Sequence, residues 1–178
     1  EVNYKEAIKY YKMAIDKGYL NALNSYAYML QNTQHYEEAV KYYKMAIDNG
    51  NLIAMNNYAK MLQTGEGVTQ NIEEAIKYYK MAIEKGSESA MSNYASMLQL
   101  GYGIPINISE AIKYYKMAIE RGDLDAMNNY AFMLLEGKGI QMNISEAVKY
   151  FKMAIDRGFS TSMVTYASIL ENGIGIPV

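Results

Sequence analysis

Residues 107–140 read NISEAIKYYKMAIERGDLDAMNNYAFMLLEGKGI, and this stretch decides the fold. Asn107 followed by Glu110 is an N-cap with a glutamate at N3, the arrangement that satisfies the orphan amides of a helix start. At 100° per residue, Ile108, Ala111, Ile112, Tyr115, Ala118 and Ile119 share one arc. The segment is therefore an amphipathic helix. Gly122 supplies a left-handed C′ position to end it. From Leu124 to Glu136, a second arc gathers Ala126, Met127, Tyr130, Ala131, Met133 and Leu134, and Gly137 and Gly139 allow a tight return of the chain. The unit is a helical hairpin, helix A followed by helix B.

Working outward, the pair Glu-Ala recurs at Glu6-Ala7, Glu38-Ala39, Glu74-Ala75, Glu110-Ala111 and Glu146-Ala147, at spacings of 32, 36, 36 and 36 residues. Self-similarity at a fixed period of this size marks a repeat architecture. The short first interval arises in a loop, where Asn32–Tyr36 replaces the longer Thr64–Ile72, so both helices survive it. Alanines recur at Ala7, Ala39, Ala75, Ala111 and Ala147 in helix A and at Ala27, Ala59, Ala95, Ala131 and Ala167 in helix B, where small side chains permit close helix crossing. One such hairpin cannot cover its own apolar arcs, so neighbours must stack. The chain is expected to be one repeat domain over 1–178, with units at about 3–35, 36–70, 71–106, 107–142 and 143–178. Gly173 and Gly175 repeat the loop glycines and Pro177 matches Pro105, which suggests a piece of a longer repeat protein.

These residues resemble the Sel-one-like repeat (SLR) family, relatives of the tetratricopeptide repeats. The resemblance rests on Glu110-Ala111, Tyr114-Tyr115, Ala118, Gly122, Ala126, Gly137, Gly139 and Ile140 and on their counterparts in the other units. It implies an all-α fold, a right-handed α-α superhelix (solenoid) of five helix-turn-helix repeats and ten helices. Three departures are systematic. Isoleucine stands at the family's second alanine (Ile15, Ile47, Ile83, Ile119, Ile155). Tyr130 and Leu134 exchange the family's leucine and tyrosine, a swap one helical turn apart that conserves volume. Met117 and its equivalents Met13, Met45, Met81 and Met153 occupy a position that the family leaves to lysine. The secreted bacterial branch staples its hairpins with disulfides, and this chain has no cysteine.

The composition excludes several function classes. Seventeen basic against 19 acidic side chains leave a net charge of -2, so no global positive field attracts nucleic acid. The absence of cysteine removes disulfides and thiolate chemistry, and a single histidine, His35, makes a transition-metal site improbable. Carboxylates at Glu73-Glu74 and Asp123-Asp125 stand at helix starts, where they complement the dipole rather than form a catalytic pair. The Gly-x-Gly loops lack the lysine and preceding strand of a phosphate loop. Asn107-Ile108-Ser109 and Asn143-Ile144-Ser145 match a glycosylation sequon but read as helix caps. No stretch of 18 apolar residues occurs, and the given sequence shows no charged n-region followed by an apolar h-region. The expectation is a non-enzyme without metal or cofactor, cytoplasmic, with a protein or peptide as partner, no nucleic acid and no membrane insertion.

In solenoids of the resembling type, helix A lines the concave surface. Tyr42, Met45, Tyr78, Met81, Tyr114 and Met117 would then form an apolar ladder along a groove, methionine being suited to adaptable recognition. The competing reading is that they pack against the next repeat. Lys77 and Lys113 belong to a lysine stripe holding ten of the 17 basic residues; it offers an acidic-ligand surface, or a solvated face laced by pairs such as Lys116–Glu120. Asn57, Asn93 and Asn129 recur in helix B and would bond either an extended ligand backbone or a neighbouring repeat. The function expected is a non-catalytic interaction scaffold or adaptor, a role the resemblance places in signalling, membrane-protein quality control or cell-surface biogenesis. The alternative is a regulatory arm of a larger enzyme, such as a protein kinase, with the catalytic domain elsewhere. Apolar ends without a polar capping helix would allow end-to-end self-association.

Overall fold

A computed structural model describes residues 3–174; Gly175 and Pro177 lie outside the described residues. It contains α1 (Tyr4–Asp16), α2 (Asn21–Asn32), α3 (Tyr36–Asp48), α4 (Leu52–Thr64), α5 (Ile72–Glu84), α6 (Glu88–Leu100), α7 (Ile108–Glu120), α8 (Leu124–Glu136), α9 (Ile144–Ile155) and α10 (Ser160–Glu171). Odd-numbered helices are the A helices and even-numbered ones the B helices. No strand occurs among the described residues. The chain divides into two compact units, Glu1–Ser87 and Glu88–Val178.

Helix ends fall where the local chemistry puts them. Asn71, Asn107 and Asn143 each accept a hydrogen bond from the backbone amide of the glutamate three residues on, at 3.0, 3.1 and 3.0 Å. Each asparagine amide in turn donates to that glutamate's Oε2, at 3.3, 3.1 and 3.1 Å. In the usual box the glutamate takes the cap's backbone N–H. Here that N–H is already given to the carbonyl of Leu62, Leu98 or Leu134, so the carboxylate binds the cap's side chain instead. The same bond fastens the loop between a B helix and the next A helix.

Those loops turn on two glycines. Gly65 and Gly67 have φ of 74° and 68°, and a Cβ on Gly67 would come within 2.0 Å of the Tyr36 ring. Glycine there serves conformation and contact together. The shortened loop between α2 and α3 reaches the left-handed region with Gln34, at φ 62°, instead of a glycine.

Within unit 1 the core runs through Leu23, Tyr26, Ala27 and Leu30 of α2, Ala39, Tyr43 and Ala46 of α3, Ala54, Tyr58, Met61 and Leu62 of α4, and Ala75 of α5. Within unit 2 the equivalent positions are filled by Ala111, Tyr115 and Ala118 of α7, Tyr130, Ala131 and Leu134 of α8, and Ala147, Phe151 and Ala154 of α9. The crossing alanines expected from the sequence are fully buried at Ala27, Ala39, Ala59, Ala75, Ala95, Ala111, Ala131 and Ala147, while Ala7 of α1 is half-buried. Ala167, in α10, is exposed. Tyr130 and Leu134 are both buried, as a swap that conserves volume requires.

Candidate functional site

The side chains expected to form a ladder on the A helices occupy an intermediate environment. Tyr42, Tyr78 and Tyr114 are half-buried, as are Met81 and Met117, while Met45 is 37 % exposed. Each tyrosine meets the ring of the preceding B helix edge-on. Tyr42 lies 4.6 Å from Tyr26, Tyr78 5.1 Å from Tyr58, Tyr114 5.2 Å from Tyr94 and Tyr150 5.2 Å from Tyr130. Each of these tyrosines is thus anchored by an aromatic contact, a geometry that favours both rings beyond simple burial.

The lysine stripe differs from its expected arrangement. Lys77 and Lys113 are exposed. Lys116 makes no ion pair with Glu120; the ion pair seen among the described residues is Lys138–Glu136 at 2.8 Å, outside the stripe. Lys12, Lys44, Lys116 and Lys152 instead hold their ammonium groups over Tyr26, Tyr58, Tyr130 and Tyr166, at 5.9, 5.6, 5.6 and 5.4 Å from the ring centres. An ammonium over an aromatic face gains from the ring quadrupole, and the long stem packs on the ring at the same time. The B-helix tyrosine is a partner the helical wheel does not contain.

The helix B asparagines are half-buried rather than exposed. Asn57 donates to Oδ1 of Asn24 at 3.4 Å, across α4 and α2. Asn129 donates to Oγ of Ser96 at 3.4 Å, across α8 and α6. Asn93 is likewise engaged with a neighbouring group. Alongside runs a second tie, in which Ser162 donates to Oδ1 of Asn128 at 2.9 Å. The polar face of the B helices therefore links successive repeats inside each unit.

Sequence reasoning missed a set of clefts. In unit 1, Ile8 and Lys12 of α1, Tyr26 and Leu30 of α2 and Glu38 of α3 line an open cavity of about 440 Å³. In unit 2, Ile112, Lys116, Tyr130, Leu134 and Glu146 line another of about 510 Å³. These are the same five positions of the repeat. Glu38 accepts a long hydrogen bond from the Tyr26 hydroxyl at 3.5 Å, and burial followed by the Glu38 charge pushes that phenol up to about 12. The signal was present in the sequence as a lysine, a tyrosine and a glutamate that each recur with the period. Only the packing of an A helix, its B helix and the following A helix brings the three together.

The buried tyrosines of the A helices form a different set. Tyr43, Tyr79 and Tyr115 donate to Oε1 of Gln31, Gln63 and Gln99 at 2.8, 2.7 and 2.8 Å. Burial raises all three phenols, Tyr115 to about 12. These hydroxyls face the packed interior and serve cohesion. Asp123 caps α8 from a buried position, accepting from the amide of Ala126 at 2.7 Å, and desolvation raises its carboxyl above the usual range. No group of acids and histidines suited to a metal occurs among the described residues.

The sequence model of the Sel1 repeat matches residues 1–19, 21–51, 52–87, 88–123 and 124–159. The chain belongs to the Sel1 repeat family. The Sel1 frame starts at helix B, so that 52–87 holds α4 and α5, and 88–123 holds α6 and α7. Solved Sel1 structures are similar in fold. A Sel1 repeat protein from Oxalobacter formigenes is 27 % identical with a TM-score of 0.76, over 88 % of this chain and 66 % of its own. The antigen c5321 of uropathogenic Escherichia coli, with an SLR fold, is 24 % identical at 0.76, over 96 % of this chain and 38 % of its own. A Sel1 repeat protein from Klebsiella pneumoniae is 19 % identical at 0.62, over 93 % and 85 %. This Sel1 chain therefore spans 66 % and 38 % of the first two relatives. No curated protein matches it in sequence. Sel1 repeats are in general protein-interaction repeats and typically non-catalytic. No helix among the described residues is long and apolar enough to cross a membrane.

Proposed function

We propose that this chain is a non-catalytic scaffold that binds a protein or peptide through the faces of its A helices. The observation that carries the reading is the methionine position. It keeps solvent-facing surface in every repeat, with Met13 42 % and Met45 37 % exposed and Met81, Met117 and Met153 half-buried. A flexible thioether that keeps solvent-facing surface is unneeded for solubility, and it suits an adaptable contact. Tyr42, Tyr78 and Tyr114 stand beside it on the same helices, and Lys77 and Lys113 supply charge at the rim. The amides of Asn57 and Asn129 are engaged between helices, which supports the reading that they hold the repeats rather than the ligand.

Methionines 81 and 117 changed together to lysine test the reading. The expected result is loss of captured partners from a native extract with a thermal midpoint within a degree or two of the parent. A midpoint lowered by several degrees with partners retained would instead assign these side chains to packing.

A further inference from the structure

Each B helix packs most extensively on the A helix that follows it, giving the pairs α2–α3, α4–α5, α6–α7 and α8–α9. Among the described residues that pairing leaves over two helices, α1 in unit 1, an A helix, and α10 in unit 2, a B helix. Both carry the side chains of the pairing and leave them open. On α1, Tyr10 is 57 % exposed where Tyr42, Tyr78, Tyr114 and Tyr150 are half-buried, and Ala7 is half-buried where its equivalents are fully covered. On α10, Leu170 is 51 % exposed where Leu30, Leu62, Leu98 and Leu134 are buried. Ala167 is exposed and Tyr166 half-buried at positions that are buried in the other B helices. Met163 and Val164 extend the same apolar surface into solvent.

The two faces are halves of one junction. Inside the chain that junction carries two specific contacts, the edge-on pair such as Tyr130 with Tyr150 and the hydrogen bond such as Tyr79 to Gln63. For the first, α10 holds Tyr166 in the B-helix role and α1 holds Tyr10 in the A-helix role. For the second, α1 holds the donor as Tyr11, and α10 holds a carboxylate acceptor, Glu171, at the position of Gln63. The α8–α9 junction has Leu135 and Phe151 at these two places, so donor and acceptor are dropped together there and present together at the two ends. A third pair of positions agrees. Ser162 of α10 donates to Asn128 of α8, whereas the equivalents that α2 and α10 would bring together, Ala22 and Val164, are both apolar. A contact in the internal register therefore strands no polar group at these positions. We infer that the α10 face takes α1 of a second copy of this chain, with Tyr10 edge-on to Tyr166 and Tyr11 donating to the Glu171 carboxylate. Two α10 faces brought together would supply no A helix. The contact is head to tail, so each bound copy still presents one face of each kind. It is independent of the scaffold reading, which rests on other side chains.

The test is sedimentation velocity of the whole chain over a range of concentrations, beside a head variant, Tyr10→Glu, and a tail variant, Leu170→Glu. Both positions are more than half exposed, and thermal melts by circular dichroism check that each variant is folded. Val164→Glu, at a position 72 % exposed, is a second tail variant. The parent should gain mass as concentration rises, and each variant alone should associate at least ~10-fold more weakly. An equimolar mixture of head and tail variants should recover the parent's affinity and stop at a pair, since it holds one intact face of each kind. A parent that stays monomeric throughout overturns the inference, as does a mixture that fails to pair. Association of either variant alone as strong as the parent's overturns it too, because that is the mark of a contact between two like faces. The Met81→Lys and Met117→Lys chain should associate as the parent does, so this inference and the scaffold reading fail separately.

Discussion

The hydroxyl of Tyr79 donates to Oε1 of Gln63 at 2.7 Å, tying an A helix to the B helix before it, and the last such junction replaces the pair with Phe151 and Leu135. Both halves change together. The hydroxyl and its acceptor vanish in one place, and Phe151 instead meets Phe132 edge-on at 5.4 Å. Removing one partner of a buried hydrogen bond leaves the other unsatisfied, at about 1–3 kcal/mol, whereas exchanging both for apolar groups is close to neutral. Gln63→Leu alone should lower stability by about 1–3 kcal/mol, and adding Tyr79→Phe should restore most of it. Urea unfolding of the two single variants and the double variant measures the coupling; additive losses would contradict it.

The loops give a pair of opposite substitutions. Gln34 holds φ 62° in the short α2–α3 loop, a region that disfavours a side chain by about 1–2 kcal/mol. Gln34→Gly should therefore stabilise, by about 0.5–1 kcal/mol after the unfolded chain's added freedom is counted. Gly67→Ala should destabilise by more than Gly50→Ala. Both have positive φ, but the new methyl meets the Tyr36 ring at position 67 and nothing within 4 Å at position 50. Thermal melts of the three variants give the order directly.

Alkaline pH should unfold the chain through its buried phenols. Tyr26 and Tyr115 are raised from 10.0 to about 12, and Tyr43 and Tyr79 lie higher, in each case mainly by burial. A folded-state value above the unfolded one means that the unfolded chain loses its protons first, so the stabilisation is complete below pH 10 and declines as pH rises toward 12. Tyrosinate absorbance followed beside helical circular dichroism should show the buried phenols ionising in a step coincident with loss of helix. Complete ionisation with the helices intact would refute this assignment.

The helices were legible in the sequence because their signals are local. Asn107 at one end and Gly122 past the other bracket α7, and Gly137 ends α8 at Glu136. The partners of polar side chains were not legible. A helical wheel sets Lys116 beside Glu120, yet the ammonium chooses Tyr130 on another helix. The same wheel leaves Gln99 on a polar face, and only the fold delivers the Tyr115 hydroxyl from 16 residues away. The methionine and tyrosine stripe was legible as a pattern, and its half-buried state follows from the width of the arc that stacked helices cover. The division into units at Ser87 and Glu88 has no mark in the period, which continues unchanged from one to the next.

Five near-identical hairpins in one chain face a hazard that a non-repetitive protein avoids: any B helix can dock against the wrong A helix, one or more repeats out of step. The paired change at Phe151 and Leu135 bears on that hazard. Phe151 set against Gln63 or Gln99 would strand an amide, and Tyr79 or Tyr115 set against Leu135 would strand a hydroxyl, so each mismatch carries its own penalty. A single missing oxygen, matched across the junction, gives the last hairpin an address that its neighbours do not share.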